Sequence, residues 1–211
     1  MVTKSIMGRP VIMESSCPRI YSYVVRTDRG LAPNPFWGFC TLAVCTPNHQ
    51  GVLARQGDWI VGVTGASRGH KLLYAMQLTE DRLHFDAYFN DGRFQQKKPV
   101  MSGNWRQRCG DNMYRRRANE WVQSSSPFHS SRHLQIDTRH PYVFISTNFY
   151  YFGRKAVEMP EEFAGIVKRG RGCRWHRSLV CDRFLSWLQQ SFASGIHAAP
   201  FDKEIDCCGC T

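Results

Sequence analysis

Gly57-Asp58-Trp59-Ile60-Val61-Gly62-Val63-Thr64-Gly65 is followed by Ala66-Ser67-Arg68-Gly69-His70-Lys71 and then by Leu72-Leu73-Tyr74-Ala75-Met76-Gln77-Leu78. Residues 59–63 are short, β-branched and aromatic, and flanked by glycines. That composition predicts a buried strand rather than a helix. Residues 66–71 are polar and contain glycine, so they predict a turn. Residues 72–78 are apolar again and predict the returning strand. The centre of the chain therefore reads as a β-hairpin with a longer loop. Ser67, Arg68, His70 and Lys71 fall at its tip, with Thr64 at the strand end. A stiff hairpin with a cationic tip can present those groups to an anion. The plainer reading is a set of solvated turn residues.

Outward from the hairpin, residues 20–26 are rich in Tyr and Val and predict a first strand. Residues 27–38 carry Gly30, Pro33, Pro35 and Gly38 and predict a long loop. Residues 40–45 predict a second strand, in which Cys40 and Cys45 are small core residues. Residues 79–90 predict a short helix capped by Thr79, with Phe85, Tyr88 and Phe89 on one face. Residues 94–131 form the least regular region, basic and aromatic. Residues 142–147 predict another strand. Residues 178–194 place Val180, Phe184, Trp187, Leu188 and Phe192 at helical spacing, with Ser178 as N-cap and Gly195 as the stop. Strands with few helices and long loops predict an α+β fold: a small β-barrel with flanking helices and a C-terminal amphipathic helix.

The chain has 211 residues, of which 42% are hydrophobic, enough for one domain with a core. The expected division is a loose leader over 1–18, the barrel domain over 19–163, and a basic segment, helix and Cys-containing tail over 164–211. No apolar run is long enough to cross a membrane, and the first residues lack a signal-peptide core. A cytoplasmic protein is the expectation. Net charge is +11. Residues 93–117 hold eight basic residues and one acid, and residues 168–177 hold five basic residues and no acid. Clustered cations point to a polyanion, most often nucleic acid; a solubility role is the alternative. The nine cysteines read as thiols rather than a disulfide framework. Cys173-x2-His176-x4-Cys181 and Cys207-Cys208-x-Cys210 raise a zinc site, but neither has the spacing of a standard finger. No metal or cofactor is assigned.

Several blocks of residues resemble one family. They are Ala32-Pro33-Asn34-Pro35-Phe36 with Gly38 and residues 40–43; residues 57–62 with Tyr74-Ala75-Met76; Asp91, Arg93-Phe94-Gln95 and Lys98-Pro99; Gly110-Asp111-Asn112-Met113-Tyr114; and Ser146, Phe149, Tyr151-Phe152-Gly153 and Pro160. In this order they resemble the nucleotide modification associated domain, type two, over about residues 20–163. The resemblance implies action on, or recognition of, modified bases, and brings no mechanism with it. The Gly-Asp-aromatic-aliphatic strand and its partner are also similar to PUA-like and EVE-like barrels that hold a modified or flipped base.

Candidate ligand groups follow from chemistry. Asp111 and Asn112 offer acceptors and donors to the edge of a base. Arg106, Arg108, Arg115, Arg116 and Arg117 can grip phosphates bidentately. The alternative is an Asp-Asn turn before a solvated basic run. Phe36, Trp37, Trp105, Tyr150 and Tyr151 flank loops and are candidate stacking surfaces, because stacking a base is worth about 1–3 kcal/mol, and Tyr114 is a further candidate base contact; most aromatics are core instead. His133 and Asp137 lie four apart and read either as a proton-transfer pair or as a loop hydrogen bond. No P-loop, nucleophile elbow, dinucleotide fingerprint or deaminase signature is present. Three functions fit: a module that binds a modified base or nucleotide, an enzyme on a base or nucleotide with Asp111 or His133 as acid/base, and an oligomeric protein that sequesters a small nucleotide signal.

Overall fold

The computed structural model describes residues 18–44 and 52–202. The leader up to residue 17, Cys45 and most of the loop entering the hairpin, and the Cys207–Cys210 tail lie outside the described residues.

The hairpin is the centre of the molecule. Strand β3 (Trp59–Thr64) pairs antiparallel with β4 (Leu72–Gln77), and the turn between them closes through a 3-10 turn at Ala66–Arg68. Strand β1 (Ile20–Val25) runs parallel to β3. In chain order the remaining strands are β2 (Cys40–Leu42), β5 (Leu83–His84), β6 (Tyr114–Arg117), β7 (Glu120–Gln123), β8 (Tyr142–Ser146), β9 (Asn148–Tyr151), β10 (Cys173–His176) and β11 (Gly195–Ile196). The main sheet has six strands in the order β10-β1-β3-β4-β9-β11. A three-stranded sheet, β2-β8-β5, and a two-stranded ribbon, β6-β7, complete the β structure.

Every residue of β1 and β3 is buried, because the main sheet is covered on both faces. Alternation along the strands divides their side chains. Ile20, Trp59, Val61, Val63 and Leu72 face helix α4 (Leu179–Ser191), which contributes Phe184, Leu185 and Leu188. Each such side chain contributes about 1.5–3 kcal/mol on burial. Tyr21, Tyr23, Ile60, Tyr74 and Met76 face the small sheet through Cys40, Leu42 and Phe144. The far side of the small sheet carries Ala43, Val143 and Ile145, which pack under Phe85 and Tyr88 of helix α1 (Phe85–Asn90) and Tyr114 of the ribbon. The result is four layers: α4, main sheet, small sheet, then α1 with the ribbon.

The fold is α+β as the pattern predicts, but it is not a barrel. The main sheet has β10 and β11 at its two edges and does not close among the described residues. Strand β1 takes β10, from the basic segment, as its outer neighbour. The predicted helix over 79–90 begins late: Leu83 and His84 pair with β8, and the Thr79 hydroxyl accepts a hydrogen bond from the Thr147 amide at 3.1 Å. His84 caps the helix instead, its Nδ1 accepting from the Asp86 amide. The second strand ends at Leu42. Helix α4 ends at Ser191, four residues before Gly195, which opens β11. No helix among the described residues is long and apolar enough to cross a membrane.

Candidate functional site

Residues 94–131 are ordered by short-range caps. The Asn104 side chain accepts from the Gln107 amide at 3.1 Å, and Gln107 Oε1 accepts from the Asn104 amide at 2.9 Å. This capping box holds a single turn, α2 (Trp105–Arg108). The turn is moored at its end: Cys109 Sγ donates to the Arg29 carbonyl at 3.0 Å, and Asn34 Nδ2 donates to the Cys109 carbonyl at 2.8 Å. The loop after β1 is thereby tied to α2. Between them lies a cavity of about 100 Å³ lined by Arg29, Trp105, Arg108, Cys109, Pro127, Phe128 and Asp202. The Arg29 guanidinium sits 5.4 Å from the centre of the Phe128 ring. Phe36, itself buried, meets Trp105 edge-on at 5.3 Å and Trp37 at 5.7 Å. Arg106 lies over both Trp105 and Phe36, at 5.5 and 5.7 Å. The cavity therefore offers two aromatic rings, two guanidiniums and a carboxylate.

Asp202 is fixed from behind. Its carboxylate accepts from the Asp28 amide at 2.9 Å, and its own amide donates to the Asp28 carbonyl at 2.9 Å. The Asp28 side chain accepts from the Tyr151 hydroxyl and from the amides of Gly30 and Phe201. Burial pushes the Asp28 carboxyl up to about 6, against the opposing effect of these hydrogen bonds. Tyr151, expected as a stacking surface, is fully buried in this contact.

The Gly110–Tyr114 motif also turns inward. Asp111 is 1% exposed and accepts from Thr41 Oγ1 at 2.6 Å and from the Tyr88 hydroxyl at 2.8 Å. Lys97, equally buried, donates from Nζ to the carbonyls of Asn34 and Phe39 and to Asn34 Oδ1, all within 2.9 Å. Burial lowers the Lys97 ammonium to about 8 and raises Asp111, whose charge the Lys97 ammonium favours. Asn112 Nδ2 donates to the carbonyls of Tyr88 and Phe94. These polar groups brace the region beneath α2. Gly110 belongs there because a Cβ would run into the backbone of Lys97 and Pro99.

His133 does not pair with Asp137. Helix α3 (Ser131–Asp137) begins at the Ser130 cap, where half-buried His133 accepts through Nδ1 from the Ser130 amide at 3.1 Å. The partner of Asp137 is His129, with Nδ1 at 2.7 Å from Oδ2, and the Tyr114 hydroxyl donates to the same oxygen at 2.7 Å. All three side chains are buried. The His129 and His133 rings stack at 4.5 Å.

A second cleft, of about 280 Å³, lies at the hairpin tip and is lined by Thr64, Arg68, Lys71, Gly153, Arg154, Ala156 and Phe201. Thr64 Oγ1 is engaged with the Lys71 amide and the Arg68 carbonyl, and Ser67 is exposed on the adjacent 3-10 turn. Arg115, Arg116 and Arg117 are exposed on β6, with Arg115 over Phe89 and Arg116 over Trp121, each at 5.0 Å. Of the expected ligand groups, Trp105 and Arg108 meet in the first cavity, Phe36, Trp37 and Arg106 adjoin it, and Thr64 and Arg68 belong to the second cleft. Arg29, Phe128 and Asp202 were not among them; the one local signal was the loop position of Arg29 directly after a strand. Among the described residues no group of three His, Cys, Asp or Glu is placed to hold a metal ion.

Residues 17–206 match the family described as nucleotide modification associated domain 2. No curated protein and no solved structure matches the chain. The match runs from the start of the described residues through β10, α4 and the segment that carries Asp202. The chain belongs to the nucleotide modification associated domain 2 family.

Proposed function

We propose that this protein binds a modified nucleobase or nucleotide in the cavity between α2 and residues 127–128. The base lies against Trp105 and Phe128, Asp202 accepts hydrogen bonds from its edge, and Arg29 and Arg108 hold phosphate. The observation that carries this reading is the convergence on one cavity of the three kinds of group a nucleotide needs: aromatic faces, guanidiniums and a fixed carboxylate. The family's association with nucleotide modification and the net charge of +11 support a nucleic-acid or nucleotide ligand. Titration calorimetry with nucleoside monophosphates, unmodified and base-modified, tests it. Wild-type protein binds, and Trp105→Ala and Arg108→Ala each weaken binding.

The enzymatic alternative draws on Asp28, a carboxyl raised to about 6 that lies one residue from Arg29, behind the cavity rather than lining it. Asp111 and His133, the acid/base candidates, do not line the cavity. Incubation with nucleotide followed by mass spectrometry separates the two: a binding module returns its ligand unaltered.

A further inference from the structure

The cleft at the hairpin tip has no role in the reading above. It abuts the nucleotide cavity. Asp202 lines the cavity, and its Oδ1 is 3.5 Å from the guanidinium of Arg68, which lines the cleft. Phe201, the next residue back, lines the cleft and lies 4.2 Å beneath Arg68. The two hollows thus meet at the Phe201–Asp202 step of the chain and at one ion pair.

The cleft gathers three cations. Lys71 pairs with Glu158 at 2.7 Å, and Arg68 with Asp202. Both pairs are open to solvent, the kind that contributes little and exchanges readily. Arg154 is different. Its backbone is clamped, with its amide donating to the Ala199 carbonyl at 2.8 Å. Gly153, at φ +53°, approaches Ala199 so closely that a Cβ would strike the Ala199 carbonyl. Among the described residues the Arg154 guanidinium makes no ion pair or hydrogen bond. An exposed guanidinium on an anchored backbone, with no acid beside it, can turn its donors to a phosphate.

We propose that this cleft binds the phosphate group flanking the base held in the cavity, so that the ligand is a nucleic-acid strand rather than a free mononucleotide. The proposal rests on the cavity reading for the position of the base, and on Arg154, Arg68 and Lys71 for the anion. The strand crosses over Phe201 and Asp202, and its phosphate displaces Glu158 from Lys71.

The test has two arms. In the first, the nucleoside 5′-monophosphate that binds most tightly is compared with the corresponding 5′-phosphorylated dinucleotide, on wild-type protein, Arg154→Ala and Trp105→Ala. The expected result is about tenfold tighter binding of the dinucleotide and a salt dependence steeper by about 0.7 in log–log slope for the added phosphate. Arg154→Ala removes both gains and leaves the mononucleotide unaffected; Trp105→Ala weakens both ligands. In the second arm, inorganic pyrophosphate binds the wild-type protein and Trp105→Ala equally, and Arg154→Ala weakly. Pyrophosphate binding lost in Arg154→Ala, with no nucleotide bound, overturns the cavity reading and keeps the anion cleft. A dinucleotide no tighter than the mononucleotide, or pyrophosphate binding indifferent to Arg154→Ala, overturns the present proposal and leaves the cavity reading standing.

Discussion

The Tyr151 hydroxyl lies 2.6 and 2.7 Å from the two carboxylate oxygens of Asp28, a contact between residues 123 apart in sequence. It joins the end of β9 to the loop after β1. Through the amides of Phe201 and Asp202 it also fixes the segment that separates the two hollows. The cavity lined by Trp105, Phe128 and Asp202 therefore depends on a buried carboxyl that does not itself line it.

That carboxyl makes stability depend on pH. Its value rises from 3.8 in the unfolded chain to about 6 in the folded one. The folded state holds the proton more tightly. Asp28 therefore contributes stability that is fully present below about pH 4 and lost as pH rises through about 6, at most about 3 kcal/mol. The neighbouring Asp202 carboxylate adds to the rise. Urea denaturation of wild type and Asp28→Asn between pH 4 and 7 measures the effect: the wild type loses stability relative to the variant across this range. Parallel curves contradict it.

Lys97→Met is expected to be among the costliest single changes. It takes the ammonium donor from the Phe39 carbonyl, leaves the Asn34 carbonyl with the Thr41 amide alone of its two strong donors, and removes the cation beside buried Asp111. A loss of about 3–5 kcal/mol is expected, as for breaking one side of a buried charge pair. Lys97→Met combined with Asp111→Asn recovers part of that loss, because the uncompensated carboxylate is gone. Chemical denaturation of the four proteins of the cycle reads the coupling; strict additivity argues against it.

The buried His129–Asp137–Tyr114 cluster is expected to act on stability. Asp137→Ala removes the acceptor shared by the Tyr114 hydroxyl and His129 Nδ1 and costs about 1–3 kcal/mol. His133→Ala removes an exposed cap contact and costs about 0.5–1 kcal/mol. Neither changes nucleotide affinity. A selective loss of binding or turnover in His133→Ala, with stability preserved, returns this region to the functional site.

Gly62 tests the hairpin. It sits opposite Tyr74 on β4, whose ring folds over it, and a Cβ would overlap that ring and approach Val25. The Tyr74 hydroxyl is in turn 2.6 Å from that of Tyr23. Gly62→Ala must displace the ring, at about 1–3 kcal/mol or more for overpacking. An unchanged thermal midpoint would show that the ring has room to move.

What was legible in the sequence followed from local composition and spacing. The hairpin and β1 declare themselves as short β-branched and aromatic runs, because the sheet is covered on both faces, and α4 by apolar residues at helical spacing. The edges of the sheet were not legible: that β10 lies beside β1 depends on a pairing across most of the chain. Asp111 and Asn112 looked like ligand groups because no local pattern discloses that Lys97, Thr41 and Tyr88 surround them. The three arginines of β6 read as a charge run, since exposed strand residues without apolar alternation resemble a loop. The cavity was least legible of all. Arg29, Trp105, Phe128 and Asp202 come from four distant stretches, and only tertiary packing brings them together.

The placement of the base in that cavity is tested most directly by photocrosslinking. Protein bound to 4-thiouridine 5′-monophosphate is irradiated, digested, and its adducts mapped by peptide mass spectrometry. The account predicts adducts on the peptides that carry Trp105 and Phe128, suppressed by excess unlabelled nucleotide. Adducts confined to the β6–β7 ribbon or to residues 168–177, with none at Trp105 or Phe128, would contradict it.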